Sequence, residues 1–291
     1  MDILVVGGTG LAGQAILAAA RARGLDAHSL ARRGDIRVDI RDEAALAHAL
    51  RRAGAPTIIN CAAIVSAPRC ESDPEDAWRV NARPAAVISD YCRQTGARFV
   101  QVSTDHYWTG DGARAHSEDA PVVLLNQYAR TKHAAEGLAL TDPCALVVRT
   151  NIVGWPSATR GSFAEWALEV IQTDAAATLY ADQFVSSIDI WAFSDSLLDL
   201  STSPATGVIN LAAAEVFSKA ELVERLAYAL ARPLSRTIRT SVKDQSTRRA
   251  DSVGLDVTRA TRLLGRPLPG LDLVVAALAA RTDDRFVSTE G

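Results

Sequence analysis

The junction of Ile3-Leu4-Val5-Val6 with Gly7-Gly8-Thr9-Gly10-Leu11-Ala12-Gly13 constrains the fold of this chain more than any other feature. A continuous apolar run suits a strand covered on both faces, as in the middle of a parallel sheet. Leu11 to Arg23 is Ala-rich and reads as a helix that stops at Gly24. Glycines between a strand and a helix permit a tight turn and let backbone N–H groups approach a pyrophosphate, while the helix packs close on the strand. The dipole and free N–H groups of the helix N-terminus favour the anion. Gly7, Thr9, Gly10, Leu11 and Gly13 are therefore expected around a dinucleotide.

The β-α-β rhythm continues through the first half of the chain. Strands are expected at 26–30, 36–39, 57–62, 98–103 and 145–148, with helices at 43–53 and 127–140 and a helical stretch from Pro74 through Tyr91 broken only by Pro84. After about residue 150 the rhythm loosens, with helices expected at 163–172 and 218–230. The expected fold class is α/β, a Rossmann-like doubly wound parallel sheet with a smaller C-terminal substrate lobe. Residues 1–150 form the dinucleotide-binding core in this reading. Residues 151–291 form mainly the substrate lobe, interleaved with the last strands of the sheet, and a polar, frayed tail is expected after Arg281.

Composition narrows the function classes. Apolar residues at 48% and charged residues at 22% match an ordinary globular chain and exclude wholesale disorder. A formal net charge of −3 gives no electrostatic reason for a nucleic acid or an anionic membrane as partner. No apolar run reaches the roughly 20 residues of a membrane span, and the opening run reads as a strand rather than a signal peptide. Cys61, Cys70, Cys92 and Cys144 are scattered, and His28, His48, His106, His116 and His133 form no ligand-spaced cluster. Reduced thiols in a cytoplasm and no metal are the expectation.

The end of the second strand sets the choice of dinucleotide. An NAD site places an acid there against the ribose 2′-hydroxyl; this chain has Leu30-Ala31-Arg32-Arg33. The arginine pair suits a 2′-phosphate, so NADP(H) is the preferred cofactor, with NAD(H) as the second choice. In the alternative, Arg32 and Arg33 are a solvated loop and Asp35 serves the ribose.

Tyr128-Ala129-Arg130-Thr131-Lys132 puts a tyrosine and a lysine on one face of a helix. A phenol of pKa ~10 donates its proton reluctantly at neutral pH. An ammonium about 6 Å away at an effective dielectric of ~20 favours the phenolate by about 3 kcal/mol. Tyr128 then approaches the range useful for proton transfer to a developing alkoxide. Ser103-Thr104-Asp105 lies past the fifth strand, at the carboxyl edge where open α/β sheets bind ligands, and a hydroxyl there could hold a substrate carbonyl.

With these motifs in order, the sequence resembles the extended short-chain dehydrogenase/reductases, and within them the dTDP-4-dehydrorhamnose reductase family. The likeness rests on the Gly7–Gly13 turn, Val38-Asp39-Ile40-Arg41-Asp42, Asn60-Cys61-Ala62-Ala63, Val80-Asn81, Val102-Ser103-Thr104-Asp105, Tyr128 and Lys132 with Glu136, and Arg149-Thr150-Asn151. Asp182-Gln183-Phe184, Asp256-Val257 and Leu263-Leu264-Gly265 continue it. The resemblance implies a catalytic set of Thr104, Tyr128 and Lys132. Tyr128 would protonate the oxygen, Lys132 would bind the nicotinamide ribose, and Thr104 would hydrogen-bond the carbonyl. It implies Asp39 near the adenine, Ala62 and Ala63 along the cofactor groove, and Ile40, Cys61 and Asn81 among the cofactor-binding positions, Cys61 reading equally as a small buried hydrophobe beside the groove. Ser103, Asp105, Asn151 and Gln183 would face the substrate, with Arg149 to Asn151 bordering its lobe. The implied reaction is reduction of a keto group on a nucleotide-linked sugar, and a homodimer is compatible with it.

The chain departs from the family pattern where the substrate binds. Asn151-Ile152 stands in place of Ser-Trp, and Asp182-Gln183-Phe184-Val185-Ser186-Ser187-Ile188 lacks the family's Gly, Pro and Thr. Ala129 replaces a helix glycine, and Gln14 and Ala15 offer no acid for a metal-bridged dimer. Trp108, in the loop directly after the strand-end Ser-Thr, is the tryptophan best placed to stack on a ligand. Arg248 and Arg249 read either as diphosphate ligands or as a solvated turn. Two other functions stay open: an NAD-dependent nucleotide-sugar epimerase or dehydratase, and a non-catalytic NADP-binding regulatory subunit resembling the beta subunit of methionine adenosyltransferase.

Overall fold

The computed structural model describes residues 1–155, 162–242 and 250–282. The chain divides into two compact units, each assembled from three separate segments. Met1–Thr104 carries β1 (Ile3–Val6), α1 (Leu11–Ala22), β2 (Ala27–Ala31), β3 (Ile36–Arg37), α2 (Glu43–Ala53), β4 (Thr57–Asn60), α3 (Ala67–Ser72), α4 (Pro74–Asn81), α5 (Arg83–Thr95) and β5 (Arg98–Val102). Asp105–Val123, in the second unit, holds β6 (Ala115–His116). Leu124–Arg149 returns to the first unit with α6 (Gln127–Ala139) and β7 (Leu146–Arg149). Thr150–Phe193 belongs to the second unit, with β8 (Ile152–Val153), α7 (Phe163–Thr173), β9 (Ala177–Tyr180), β10 (Phe184–Val185), β11 (Ile188–Asp189) and the start of α8 (Ile190–Thr202). Ser194–Ile209 completes the first unit with the rest of α8 and β12 (Gly207–Asn210). From Asn210 onward the second unit holds β13 (Phe217–Ser218), α9 (Lys219–Ala229), β14 (Thr237–Thr240), β15 (Ser252–Leu255), α10 (Thr258–Leu264) and α11 (Leu271–Ala279).

The first unit is built on a seven-stranded sheet in the order β12-β7-β5-β4-β1-β2-β3. Its pairings from β3 through β7 are all parallel. The winding therefore reverses between β1 and β4, and such a reversal leaves a crevice outside the strand ends. Leu4, Val6, Leu30, Ile58, Phe99 and Val147 alternate into one core with Leu46 and Leu50 of α2 and Ile88 of α5. Full burial of β1 explains its unbroken apolar run.

Three local expectations are corrected. The third strand stops at Arg37, so Asp39 lies in a turn. The fourth strand ends at Asn60, which frees Cys61 to Ser66 as loop. The stretch from Pro74 to Tyr91 is two helices, with Pro84 in the first turn of α5, where the missing N–H removes no helical bond.

In the second unit, β13-β10-β15-β6 form a four-stranded sheet, and β8 with β11 and β9 with β14 form two-stranded ones. The strands of 2–4 residues there are too short for a periodicity signal, so the sequence showed only the flanking helices. Among the described residues no helix is long and apolar enough to cross a membrane.

Candidate active site and cofactor groove

The glycine turn is shaped by contacts that only glycine allows. Gly7 has φ +82°, and a Cβ there would lie 2.7 Å from the Ala62 backbone. A Cβ on Gly13 would lie 2.4 Å from the Gly7 carbonyl oxygen. Helix α1 begins after Gly10 with no side-chain cap and no acid in its first turn. Its leading N–H groups thus face the crevice uncapped, which is the donor set a pyrophosphate requires. These residues fit a dinucleotide.

A groove of about 410 Å³ opens there. Of the residues expected around the cofactor, Gly7, Thr9, Gly10, Arg32, Ile40, Cys61, Ala62 and Ala63 line it. Leu11, Gly13, Arg33 and Asp39 are not among its lining residues. Gly13 acts one layer back, through its close approach to Gly7. Asp39 turns to Arg41, whose Nη1 lies 3.2 Å from each carboxylate oxygen. Asp35, the alternative ribose acceptor, is spent on Ser29, accepting its N–H and its Oγ at 2.9 Å each. Cys61 is a small packed thiol against the Val6 carbonyl, pushed up to about 12 by burial.

Asn81 needs correction. It is fully buried, accepting from Ile64 N–H at 2.7 Å and donating to the Ile64 carbonyl and to Thr131 Oγ1 at 3.2 and 3.0 Å. Its polar atoms hold the 62–66 wall of the groove onto α6, and it is not among the groove's lining residues. The sequence reading missed Arg41 and Arg69, which also line the groove. Asp76 joins them: Arg41 meets it through Nε at 2.6 Å and Nη2 at 3.1 Å, and Arg69 through Nη2 at 3.3 Å. Hydrogen bonding to Arg41 holds the Asp76 carboxyl below its ordinary value.

Asn126 caps α6 by accepting from Ala129 N–H, and Tyr128, Lys132 and Glu136 are buried along that helix. Lys132 is 3% exposed and donates to the Val102 carbonyl at 2.7 Å, leaving further N–H groups for a ribose. Burial draws its pKa down from 10.5 to about 8, opposed by Glu136 and then Cys61. Thr104 is buried at the strand end beyond Val102. Ser103, expected at the substrate, instead donates its hydroxyl to Glu136 at 2.6 Å. Arg149, expected at the border of the substrate lobe, is likewise turned inward to Glu136 at 2.8 Å.

Within the second unit, Asp105 is buried and accepts from Asn151 Nδ2 at 2.6 Å, and Ser187 donates to Asn151 Oδ1 at 2.7 Å. Burial raises the Asp105 pKa, against the pull of His106, Asn151 and Lys219. The ring face expected of Trp108 is taken by His116, stacked at 4.5 Å, while its indole N–H donates to the Pro121 carbonyl. Trp108 therefore packs its own loop. Gln183 lines a separate pocket of about 360 Å³ with Phe163, Trp166, Tyr180 and Lys219. Trp166, which lines that pocket, is partly exposed. Arg248 and Arg249 lie outside the described residues.

A parallel sheet wound both ways from β1 and β4, a glycine turn at the switch point and Tyr128 with Lys132 on α6 define an extended short-chain dehydrogenase/reductase. More narrowly, the chain belongs to the RmlD substrate binding domain family, which it matches over residues 1–282. It is 32% identical over 149 residues to a dTDP-4-dehydrorhamnose reductase of Streptomyces griseus, a match covering 50% of this chain and 48% of that protein, so the chain spans about half the length of that relative. It is 28% identical to the dTDP-4-dehydrorhamnose reductase of Mycolicibacterium smegmatis, covering 99% of this chain and 89% of the other. The crystal structure of dTDP-4-dehydrorhamnose reductase from Bacillus anthracis in complex with NADP shares the fold, with a TM-score of 0.86 at 18% identity, over 97% of this chain and 99% of that one.

Proposed function

We propose that this chain is an NADPH-preferring reductase that converts the keto group of a nucleotide-linked sugar to a hydroxyl, the reaction type for which its dTDP-4-dehydrorhamnose reductase relatives are named. The observation that carries the reading is the arrangement on α6: Tyr128 and Lys132 share a face, and Lys132 is buried against the strand end that bears Thr104.

Bound nicotinamide supplies the hydride. Thr104 donates a hydrogen bond to the substrate carbonyl oxygen and orients it. Tyr128 gives its phenolic proton to that oxygen as the carbon is reduced, so the ketone gains one hydride and one proton. The Lys132 ammonium favours the phenolate left behind and offers its remaining N–H groups to the ribose. Arg32 supports NADP(H) over NAD(H), because it lines the groove outside the Asp76 cluster that engages Arg41 and Arg69. The pocket of Phe163, Trp166, Tyr180 and Gln183 supports a nucleotide-sugar substrate by offering aromatic faces beside a polar side chain. The four free cysteines accord with a cytoplasmic location. A homodimer, proposed on the resemblance alone, is read by light scattering.

The test is loss of NADPH absorbance against a panel of dTDP- and UDP-linked 4-keto sugars. Tyr128→Phe should lower kcat by about 10²–10⁴ while NADPH still binds. Turnover equal to wild type in that variant would sink the reading, and turnover without added cofactor would point to an epimerase or dehydratase.

A further inference from the structure

The segment leaving β5 is fastened at consecutive residues. The Val102 carbonyl accepts from Lys132 Nζ at 2.7 Å. Ser103 donates its hydroxyl to Glu136 Oε1 at 2.6 Å and its N–H to the Val148 carbonyl at 2.7 Å. Arg149, the residue after Val148, closes the circuit, with Nε 3.0 Å from Glu136 Oε1 and Nη2 2.8 Å from Oε2. Ser103, Glu136 and Arg149 are 6%, 3% and 4% exposed. Tyr128, Lys132 and Glu136 follow at intervals of four and so share one face of α6.

Stability alone does not account for such a pair, because desolvation offsets the Coulomb gain and packed apolar side chains often do as well. A bidentate guanidinium–carboxylate pair does restrict geometry. This one touches both strands of the circuit and the helix that carries the acid.

We propose that Glu136, fixed by Arg149, is a positioning residue that holds Thr104 in register with Tyr128 and Lys132 and keeps Lys132 an ammonium toward the nicotinamide ribose. The inference rests on the catalytic reading above. Glu136 from its own helix and Cys61 from the loop after β4 both act on the Lys132 charge. Tyr128 sits one turn before it on α6. The Cys61 thiol, at about 12, is neutral near pH 8, so the carboxylate that opposes the burial of Lys132 is Glu136.

The experiment compares Glu136→Gln, the paired change Glu136→Gln/Arg149→Met and Tyr128→Phe with wild type. NADPH binding is followed by fluorescence from about pH 6 to 9, thermal melting reports the fold, and kcat and KM are measured at about pH 7. Wild type should lose NADPH affinity as pH rises through about 8. In Glu136→Gln that midpoint should fall by about half a pH unit or more, and kcat should fall about tenfold with KM changed less than about twofold. If the single variant does not fold, the paired variant removes both buried charges and should show the same loss of kcat. A folded Glu136 variant with wild-type kcat and an unmoved midpoint would overturn the proposal, as would a paired variant with full kcat. If Tyr128→Phe keeps full turnover, the catalytic reading fails first. If it loses turnover while the Glu136 variants do not, only this inference fails.

Discussion

The groove of the first unit and the pocket of the second are similar in size, about 410 and 360 Å³, and are built in opposite ways. Glycines, alanines and uncapped N–H groups shape the floor of the groove, with Arg32, Arg41 and Arg69 as its charged side chains, so much of what it offers a ligand is backbone. Phe163, Trp166, Tyr180, Gln183 and Lys219 shape the pocket, so what it offers a ligand is side chain. A cofactor shared by a whole class of enzymes can be held by main chain. A substrate that differs between relatives is better met by side chains that mutate freely. This chain's departures from the family pattern at Asn151 and at 184–188 lie in the second unit and leave the glycine turn intact.

The contrast can be broken most directly at the turn. Gly13→Val forces a side chain onto the Gly7 carbonyl and should weaken NADPH binding more than about 100-fold in a fluorescence titration, because the cradle itself must shift. An affinity near wild type would mean that the groove is not backbone-built. Asn81→Ala tests the groove's wall. It strips a buried amide from Ile64 and Thr131 and should cost about 2–3 kcal/mol in urea unfolding, with NADPH affinity falling alongside. In the second unit, Trp166→Ala should raise the KM for a nucleotide sugar about tenfold with NADPH affinity unchanged. If both affinities moved, the division of labour would be wrong.

The smallest expected effect is on thermal stability. Lys132 has a folded pKa near 8, below its ordinary 10.5. Between those values the unfolded chain binds the extra proton, so this residue's contribution to stability rises with pH across the window. Its burial penalty is fully present below about 8. Lys132→Met should therefore abolish turnover yet raise Tm below pH 8, by roughly 2–4 °C for each kcal/mol relieved. That gain should shrink toward pH 10, as differential scanning calorimetry at several pH values would show.

What the sequence made legible were the local features. The glycine turn, the four-residue spacing of Tyr128 and Lys132 and the strand end at Thr104 each act within a few residues, so their order and period expose them. The bonding of Ser103, Asn81 and Arg149 was not legible, because it depends on partners well along the chain: Glu136 for Ser103 and Arg149, and Ile64 for Asn81. Arg41 and Arg69 were missed for the same reason, since the carboxylate that joins them lies 35 residues beyond Arg41. Trp108 and Trp166 could not be ranked from sequence, because which indole face is covered depends on tertiary packing.

The discontinuity of the two units also bears on how such a gene can change. The sheet of the first unit is completed by β12, which arrives more than fifty residues after β7. A polypeptide ending near residue 150 would leave β7 as a bare, buried-type edge strand, a template for aggregation. A single recombination event there would likewise graft a foreign edge strand onto the parental sheet along with any new substrate pocket. An architecture interleaved in this way is therefore expected to change by point substitutions within each unit rather than by exchange of whole modules.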